Sequence, residues 1–525
     1  MDSKRPEQVH HSEHYEPQGI SRQDVQSADN GADRALAMIG SQRMEISEEE
    51  NRRILRKTDG VILALLVWVY FLQVLDKSVL GYGATYGLKE DTSLSAGQYS
   101  LLGSIAPIAQ LVWQPFSSVL IVKVPHRILM PVLCLGWGIA QTSMAACHNF
   151  SGLMAARFFL GLFEEQPIRV AAWYGTNGAA TIVAAAISYG LGRINSPVLR
   201  EWQIIFLFVG LLTTASVPFI YWKLDNDVLS ARFLTPEEKP KAIERLRANQ
   251  TGTGNQKFKW KHAVEAALEP KTYLWFGMTL ALNVGASVTN TFGPLIIEGL
   301  GFDKYKASLL SMPFGALQTI LILLASSLAQ KAKLKGAVLA VFTLPVLAGL
   351  AVLYRAPRDS SGQGALLAGY YLLAFLFAGN PLIVSWIVGN TAGTTKKSII
   401  MSVYNAASSV GNILGPILFD DGDAPAYKPG LRACLGVFSA LIGVIAIQWA
   451  NLIFLNKMQA KARVHHGKQA EVIDRSMQDH YHTARHHGDR VLQDTEGAGE
   501  KGGHLGQNAI LDLTDRENDE FVYIY

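Results

Sequence analysis

Apolar runs recur about a dozen times along this chain, six on each side of a polar stretch from about Leu224 to Lys271. A helix of about 20 apolar residues crosses the roughly 30 Å hydrocarbon layer of a bilayer, and a water-soluble domain has no reason to repeat such runs. The runs predict spans at about 61–81, 98–121, 128–147, 151–164, 170–191, 203–223, 273–297, 307–330, 336–354, 365–388, 399–419 and 431–455. The expectation is an all-α membrane protein in five parts: a disordered N-terminal tail (1–58), a first bundle of six spans (59–223), a central loop (224–271), a second bundle of six (272–455) and a C-terminal tail (456–525). Two such halves are common among secondary carriers.

The fourth run breaks the pattern. It extends only from Ser151 to Glu164 before Glu165-Gln166-Pro167 interrupts it. At 1.5 Å per residue that is about 21 Å of helix, short of the bilayer core, so the fourth span is expected to be truncated.

Charge orients the spans. Arg52, Arg53, Arg56 and Lys57 precede the first run, and Ser47 with Glu50 forms a capping box opening their helix. Lys123 and Arg127, then Arg232 through Lys271, then Lys331, Lys333 and Lys335, then Lys396 and Lys397 mark the even-numbered connections, whereas the odd ones are poorer in bases or offset them, as in Lys89-Glu90-Asp91. This alternation places both termini and the central loop in the cytoplasm. Thr235-Pro236-Glu237-Glu238 predicts a surface helix over about 236–248. The first 45 residues lack an apolar stretch of the kind a cleaved leader needs.

Composition narrows the chemistry. The chain is 49% hydrophobic and 17% charged, with a mean hydropathy of +0.17. Its net charge of +4 sits in short clusters between the runs, so no nucleic acid is expected as a partner. Cys134, Cys147 and Cys434 lack metal or redox spacing. His465, His466, His480, His482, His486 and His487 fall in a polar tail without fixed geometry, so neither a metal nor a cofactor is expected. No nucleophile elbow, His-Glu-x-x-His or paired intramembrane aspartates occur, so the chain is not expected to be an enzyme.

Charges inside the apolar runs carry the functional signal. Asp76-Lys77 lies toward the outer half of the first run, while Arg157 and Glu164, seven apart, share one face of the fourth. An ionisable group in a bilayer costs several kcal/mol unless paired or hydrated, which marks a substrate or ion pathway. The competing explanations are an interfacial pair at Asp76-Lys77 and a packing clamp at Arg157. Amides form a second set: Gln110 with Gln114, Asn283 with Asn290, and Asn405 with Asn412, each pair on a common face and equally suited to line a cavity or to join helices. Gly81, Gly83, Gly293-Pro294, Met312-Pro313 and Gly411 with Gly415-Pro416 permit close packing or broken helices.

Leu75-Asp76-Lys77-Ser78, Arg157-Phe-Phe-Leu-Gly161-Leu-Phe-Glu164, Trp202-Gln-Ile-Ile-Phe206, Arg232-Phe-Leu-Thr-Pro-Glu-Glu238, Met312-Pro-Phe-Gly315, Gly369-Tyr-Tyr-Leu372, Asn390-Thr-Ala-Gly-Thr-Thr-Lys-Lys397 and Gly411-Asn-Ile-Leu-Gly-Pro416 together resemble fungal allantoate-permease-type transporters. These form part of the anion:cation symporter branch of the major facilitator superfamily. The resemblance implies the major facilitator fold, two six-helix bundles around a central cavity, and proton-coupled symport of a small organic anion across the plasma membrane. Relatives of this type carry allantoate, ureidosuccinate, nicotinate, pantothenate or biotin.

By the same resemblance Asp76 and Glu164 are proton-coupling residues, and Arg157 holds a substrate carboxylate. Lys77, Gln110, Asn283, Asn290 and Asn412 complete the expected substrate site. Lys77 stands where relatives outside the fungi usually have arginine, keeping the charge but losing the planar fork. Relatives also continue after the glutamate at 164 with an apolar half-helix, whereas here Glu164 runs directly into Glu165-Gln166-Pro167-Ile168-Arg169. Such a loss would shift Glu164 toward the cytoplasmic mouth and leave an inactive carrier, or a nutrient sensor that binds without transporting.

Overall fold

The computed structural model describes residues 47–164, 176–226, 230–248, 258–419, 421–466, 470, 513–519 and 521–525. The chain divides into two compact units, one from Met1–Val61 with Asp225–Gly254 and one from Ile62–Leu224 with Asn255–Tyr525.

In the smaller unit, α1 (Glu48–Thr58) carries the predicted capping box, with Ser47 and Glu50 each accepting from the other's backbone N–H. Helix α8 (Glu238–Ala248) begins two residues later than expected. Ile54, Ala231, Leu234 and Ala242 form a small apolar core between them. Glu238 accepts from Lys57 Nζ at 2.7 Å, and Lys241 reaches Glu50 at 2.5 Å.

The larger unit holds the remaining helices. Its first half comprises α2 (Ala64–Thr85), α3 (Ala96–Lys123), α4 (His126–Met144), α5 (Phe150–Glu164), α6 (Thr176–Leu191) and α7 (Glu201–Lys223). After α9 (Trp260–Leu268), its second half comprises α10 (Pro270–Glu298), α11 (Lys304–Ala332), α12 (Lys335–Arg355), the broken pair α13 (Gln363–Leu372) and α14 (Gly379–Gly389), α15 (Thr394–Ile417) and α16 (Lys428–His465). Each of the twelve predicted runs coincides with one helix or, in the tenth, a broken pair. Among the described residues seven helices are long and apolar enough to cross a membrane. Helix α5, with 15 residues, is about 22 Å long, so the fourth span is short in the structure too.

Several features differ from the expectation. The tenth span is not one rod: a 3-10 turn over Leu373–Ala378 separates α13 from α14, just ahead of Pro381, whose ring cannot be followed by ordinary i to i−4 bonding. The central loop contains α9, which was not anticipated because nine residues give too short a window for periodicity to stand out. Helix α16 continues to His465 instead of stopping near 455, and the chain end packs against it. The junction at Glu165–Arg169, the start of the fifth span, and His480, His482, His486 and His487 lie outside the described residues.

Within each half the helices pack as neighbours: α4 lies against α5 and α7, α3 against α5, and α10 against α15 and α16. Between halves, α2 meets α10, α3 meets α15, and α6 meets α11. The last contact is glycine to glycine, since a Cβ on Gly178 would lie 2.1 Å from the Gly315 carbonyl oxygen and one on Gly315 would lie 2.6 Å from that of Gly178. Polar bonds across the halves cluster where α2 ends and α3 begins: Tyr99 donates to the Thr291 carbonyl (2.8 Å), Ser100 to that of Phe419 (2.7 Å), Tyr86 meets Ser308 (3.0 Å), and Lys304 pairs with Glu201 (2.6 Å). We call this the far end, and the end carrying Lys271 and Lys396 the near end.

Candidate functional site

The charges predicted inside the apolar runs converge in the first half. Lys77, near the middle of α2, places Nζ 3.0 Å from Glu164 Oε1, and Gln110, near the middle of α3, donates to Glu164 Oε2 at 3.0 Å. Gln73, one turn before Lys77, donates to the Glu164 backbone carbonyl at 3.1 Å. Glu164 is fully buried while the Lys77 side chain is 39% exposed, so the pair has one face toward protein and one accessible to water.

Glu164 is therefore not displaced to a mouth of the bundle, as loss of the half-helix would suggest. The register of α5 on α3 explains this. Arg157 Nε donates to the Leu102 carbonyl at 3.3 Å, and Gly161 sits so close to Ala106 that a Cβ would lie 2.3 Å from its carbonyl oxygen. These two contacts set the axial position of α5, and Glu164 follows seven residues after Arg157 on the same face.

Asp76 points to the other side of α2. It is fully buried, accepts from Thr213 Oγ1 of α7 at 3.3 Å, and has the Trp137 indole of α4 against its carboxylate. Arg157 is buried beside the cluster, with both Glu164 and Asp76 within its electrostatic reach. Two acids and two bases thus balance inside an otherwise apolar half. That balance fits groups whose separate burial would cost several kcal/mol each.

The second half supplies amides and a phenol. Asn283 of α10 donates to Asn380 Oδ1 at 3.2 Å and to its own helix at the Thr279 carbonyl, and Tyr404 of α15 donates to the same Asn380 oxygen at 3.3 Å. Asn283 is thus tied to a second amide, while Asn290, two turns on, is partly exposed at the boundary with α2. Asn412 lies partly exposed on α15, and its backbone carbonyl accepts from Ser287 at 3.0 Å. The structure brings Lys77, Gln110, Arg157, Glu164 and Asp76 into one cluster but joins Asn283 to a separate one.

Gln73, Thr213, Trp137, Asn380 and Tyr404 were not among the predicted residues. Asn380 had a signal: an amide directly before a proline in the interior of an apolar run, where a backbone break is tolerated only against protein or a cavity. Thr213 and Trp137 had none, because a single hydroxyl or indole in a span is ordinary. The largest cavity, about 560 Å³, lies at the far end among Tyr86, Lys89, Asp91, Arg200, Glu201 and Glu298, and contains none of the predicted residues.

The paired halves of helices and the buried, balanced charges in one of them define a membrane carrier. The chain matches the Major Facilitator Superfamily over residues 66–416, and it belongs to that family. It is 31% identical over 514 residues to an uncharacterized transporter of Schizosaccharomyces pombe, covering 93% of this chain and 90% of that protein. It is 32% identical over 415 residues to the thiamine pathway transporter of Saccharomyces cerevisiae, covering 74% and 77%. Among solved structures, a bacterial homolog of the human lysosomal transporter Spinster, in an inward-facing and occupied conformation, shares the fold with a TM-score of 0.53 at 14% identity, over 77% of this chain and 97% of that one. The chain is a multi-pass membrane transporter, and its relatives are transporters, not enzymes.

Proposed function

We propose that this transporter moves a small organic anion or a carboxylate, ureido or vitamin-like nutrient together with protons, in the manner of allantoate permeases, across the plasma membrane with both termini in the cytoplasm. The Lys77–Glu164–Gln110 cluster beside Arg157 carries this reading. An anionic substrate competes with Glu164 for Lys77 and Arg157, and a proton taken up by Glu164 releases those bases to it. Asp76, on the opposite side of the same helix, is the second proton carrier. Asn283, Asn290 and Asn412 supply the neutral hydrogen bonds of selection. The thiamine pathway relative supports a nutrient as cargo.

Reconstitution tests it. The purified chain in proteoliposomes should be stabilised by one of allantoate, ureidosuccinate, nicotinate, pantothenate, biotin or thiamine, and an imposed proton gradient should drive accumulation of that compound. Binding without gradient-driven uptake would overturn symport. It would favour the second reading, a sensor or inactive carrier, to which the 15-residue α5 lends weight. Sequencing the transcript across the codons for Glu164 and Glu165 separates the two: a longer message restores an ordinary carrier, and a message matching this chain favours the second reading.

A further inference from the structure

The last residues of the chain occupy a built site on the near end of the second half. Asp515 is fully buried and bridges two buried lysines from different helices, pairing with Lys271 of α10 and lying 2.9 Å from Lys396 of α15. Lys396 also holds Glu265 of α9 and, at the α9–α10 turn, Glu269, each at 2.6 Å. Further along, two asparagines each read one residue's backbone from both sides. Asn456 of α16 takes the N–H and the carbonyl of Tyr523, both at 2.8 Å, and Asn390, after α14, takes the N–H and carbonyl of Ile524 at 2.8 and 2.9 Å. Trp386 also donates to the Ile524 carbonyl, and the Lys335 backbone N–H at the start of α12 donates to that of Tyr525 at 2.7 Å.

Sequence-independent contacts to backbone amides, combined with one buried charge, are how a peptide is recognised. Burial raises the Asp515 carboxyl, but Lys271 and Lys396 outweigh it and hold the group below its ordinary range, so it is charged where it sits. Removing it would leave Lys271, itself only 1% exposed, facing Glu269 alone at 3.3 Å. The same peptide touches α9, α10, α12, α14, α15 and α16, helices whose near ends must move together if the half turns as a rigid body during alternating access.

We propose that the near end of the second half is a peptide-binding site whose occupant is the chain's own segment 513–525, and that docking of this segment latches the near ends of α10, α14, α15 and α16 together. Neither the substrate nor the coupling ion enters this proposal, which therefore stands or falls separately from symport.

Hydrogen exchange on the full-length protein tests it. In the wild type, the amides of Tyr523 and Ile524 should exchange at least tenfold more slowly than in the Asp515→Asn variant, and the near-end peptides of α10 and α15 should also exchange faster in that variant while α2–α5 are unchanged. Ile524→Lys provides a second way to release the segment if Asp515→Asn does not fold. With that variant, an excess of synthetic peptide of sequence 513–525 should restore near-end protection, and a scrambled peptide should not. Fast exchange of 521–525 in the wild type would overturn docking, a result that needs no variant. Release of the segment without any change in α10 and α15, or rescue by the scrambled peptide, would overturn the latch.

Discussion

Two buried charge clusters sit in this transporter, and they differ in what surrounds them. Asp76, Lys77, Arg157 and Glu164 lie along the middle of helices in the first half, and Lys77 keeps one side open. Glu265, Glu269, Lys271, Lys396 and Asp515 lie at helix ends in the second half, where both lysines are closed over. A closed cluster with every charge matched can only hold structure together, whereas a half-open one can exchange a partner for a ligand or a proton. The comparison therefore assigns stability to the second cluster and transport to the first.

The largest expected effect tests that division. Lys396→Met strands Asp515 and two glutamates in a buried position and should cost about 3–5 kcal/mol, read as a fall in melting temperature in detergent. Glu164→Gln should cost less stability, because the exposed side of Lys77 can be hydrated, yet should abolish uptake. If the two variants lost stability and uptake in equal proportion, the functional distinction between the clusters would be wrong.

Asp76→Asn sharpens the same comparison within the first half. The amide keeps the shape and can still bond Thr213, so folding should survive. Gradient-driven uptake should fall at least tenfold while substrate exchange across the membrane persists. Equal loss of both would make Asp76 a structural member like Asp515.

Packing should respond on an intermediate scale. Gly161→Ala drives a methyl into the Ala106 backbone and should destabilise by about 1–3 kcal/mol, because neither helix can yield without moving Arg157 off the Leu102 carbonyl. A silent Gly161→Ala would mean that α5 does not hold the register that places Glu164, and the cluster in the first half would lose its physical basis.

The two clusters were not equally legible in the sequence. Asp76, Lys77, Arg157 and Glu164 interrupt apolar runs, where any charge is anomalous, so hydropathy alone marks them. Lys271 and Lys396 stand at the ends of runs, where basic residues ordinarily record orientation, and nothing local distinguishes a lysine facing lipid headgroups from one closed over by a peptide 120 or more residues away. Asp515 falls in a stretch whose composition reads as an unstructured tail. The helical runs themselves were legible because apolar length is a local property. The break over Leu373–Ala378 and the union of Asn283 with Asn380 depend on which helices become neighbours, and no window along the chain contains that.

The smallest effect lies in the smaller unit, where charge pairing is exposed and self-contained. Lys57 donates to Glu238, the Thr235 backbone N–H donates to it as well, and together they draw its carboxyl down to about 2. A depressed acid stabilises the folded form above its ordinary value near 4.5 and loses that contribution as pH falls through about 2. The contribution is below about 1 kcal/mol because solvent screens the pair. Glu238→Gln should therefore change the melting temperature slightly at pH 7 and still less at pH 2, where the wild-type pair has begun to dissolve. A pH-independent effect of the same substitution would assign Glu238 a capping role through Thr235 and take the Lys57 charge out of the account.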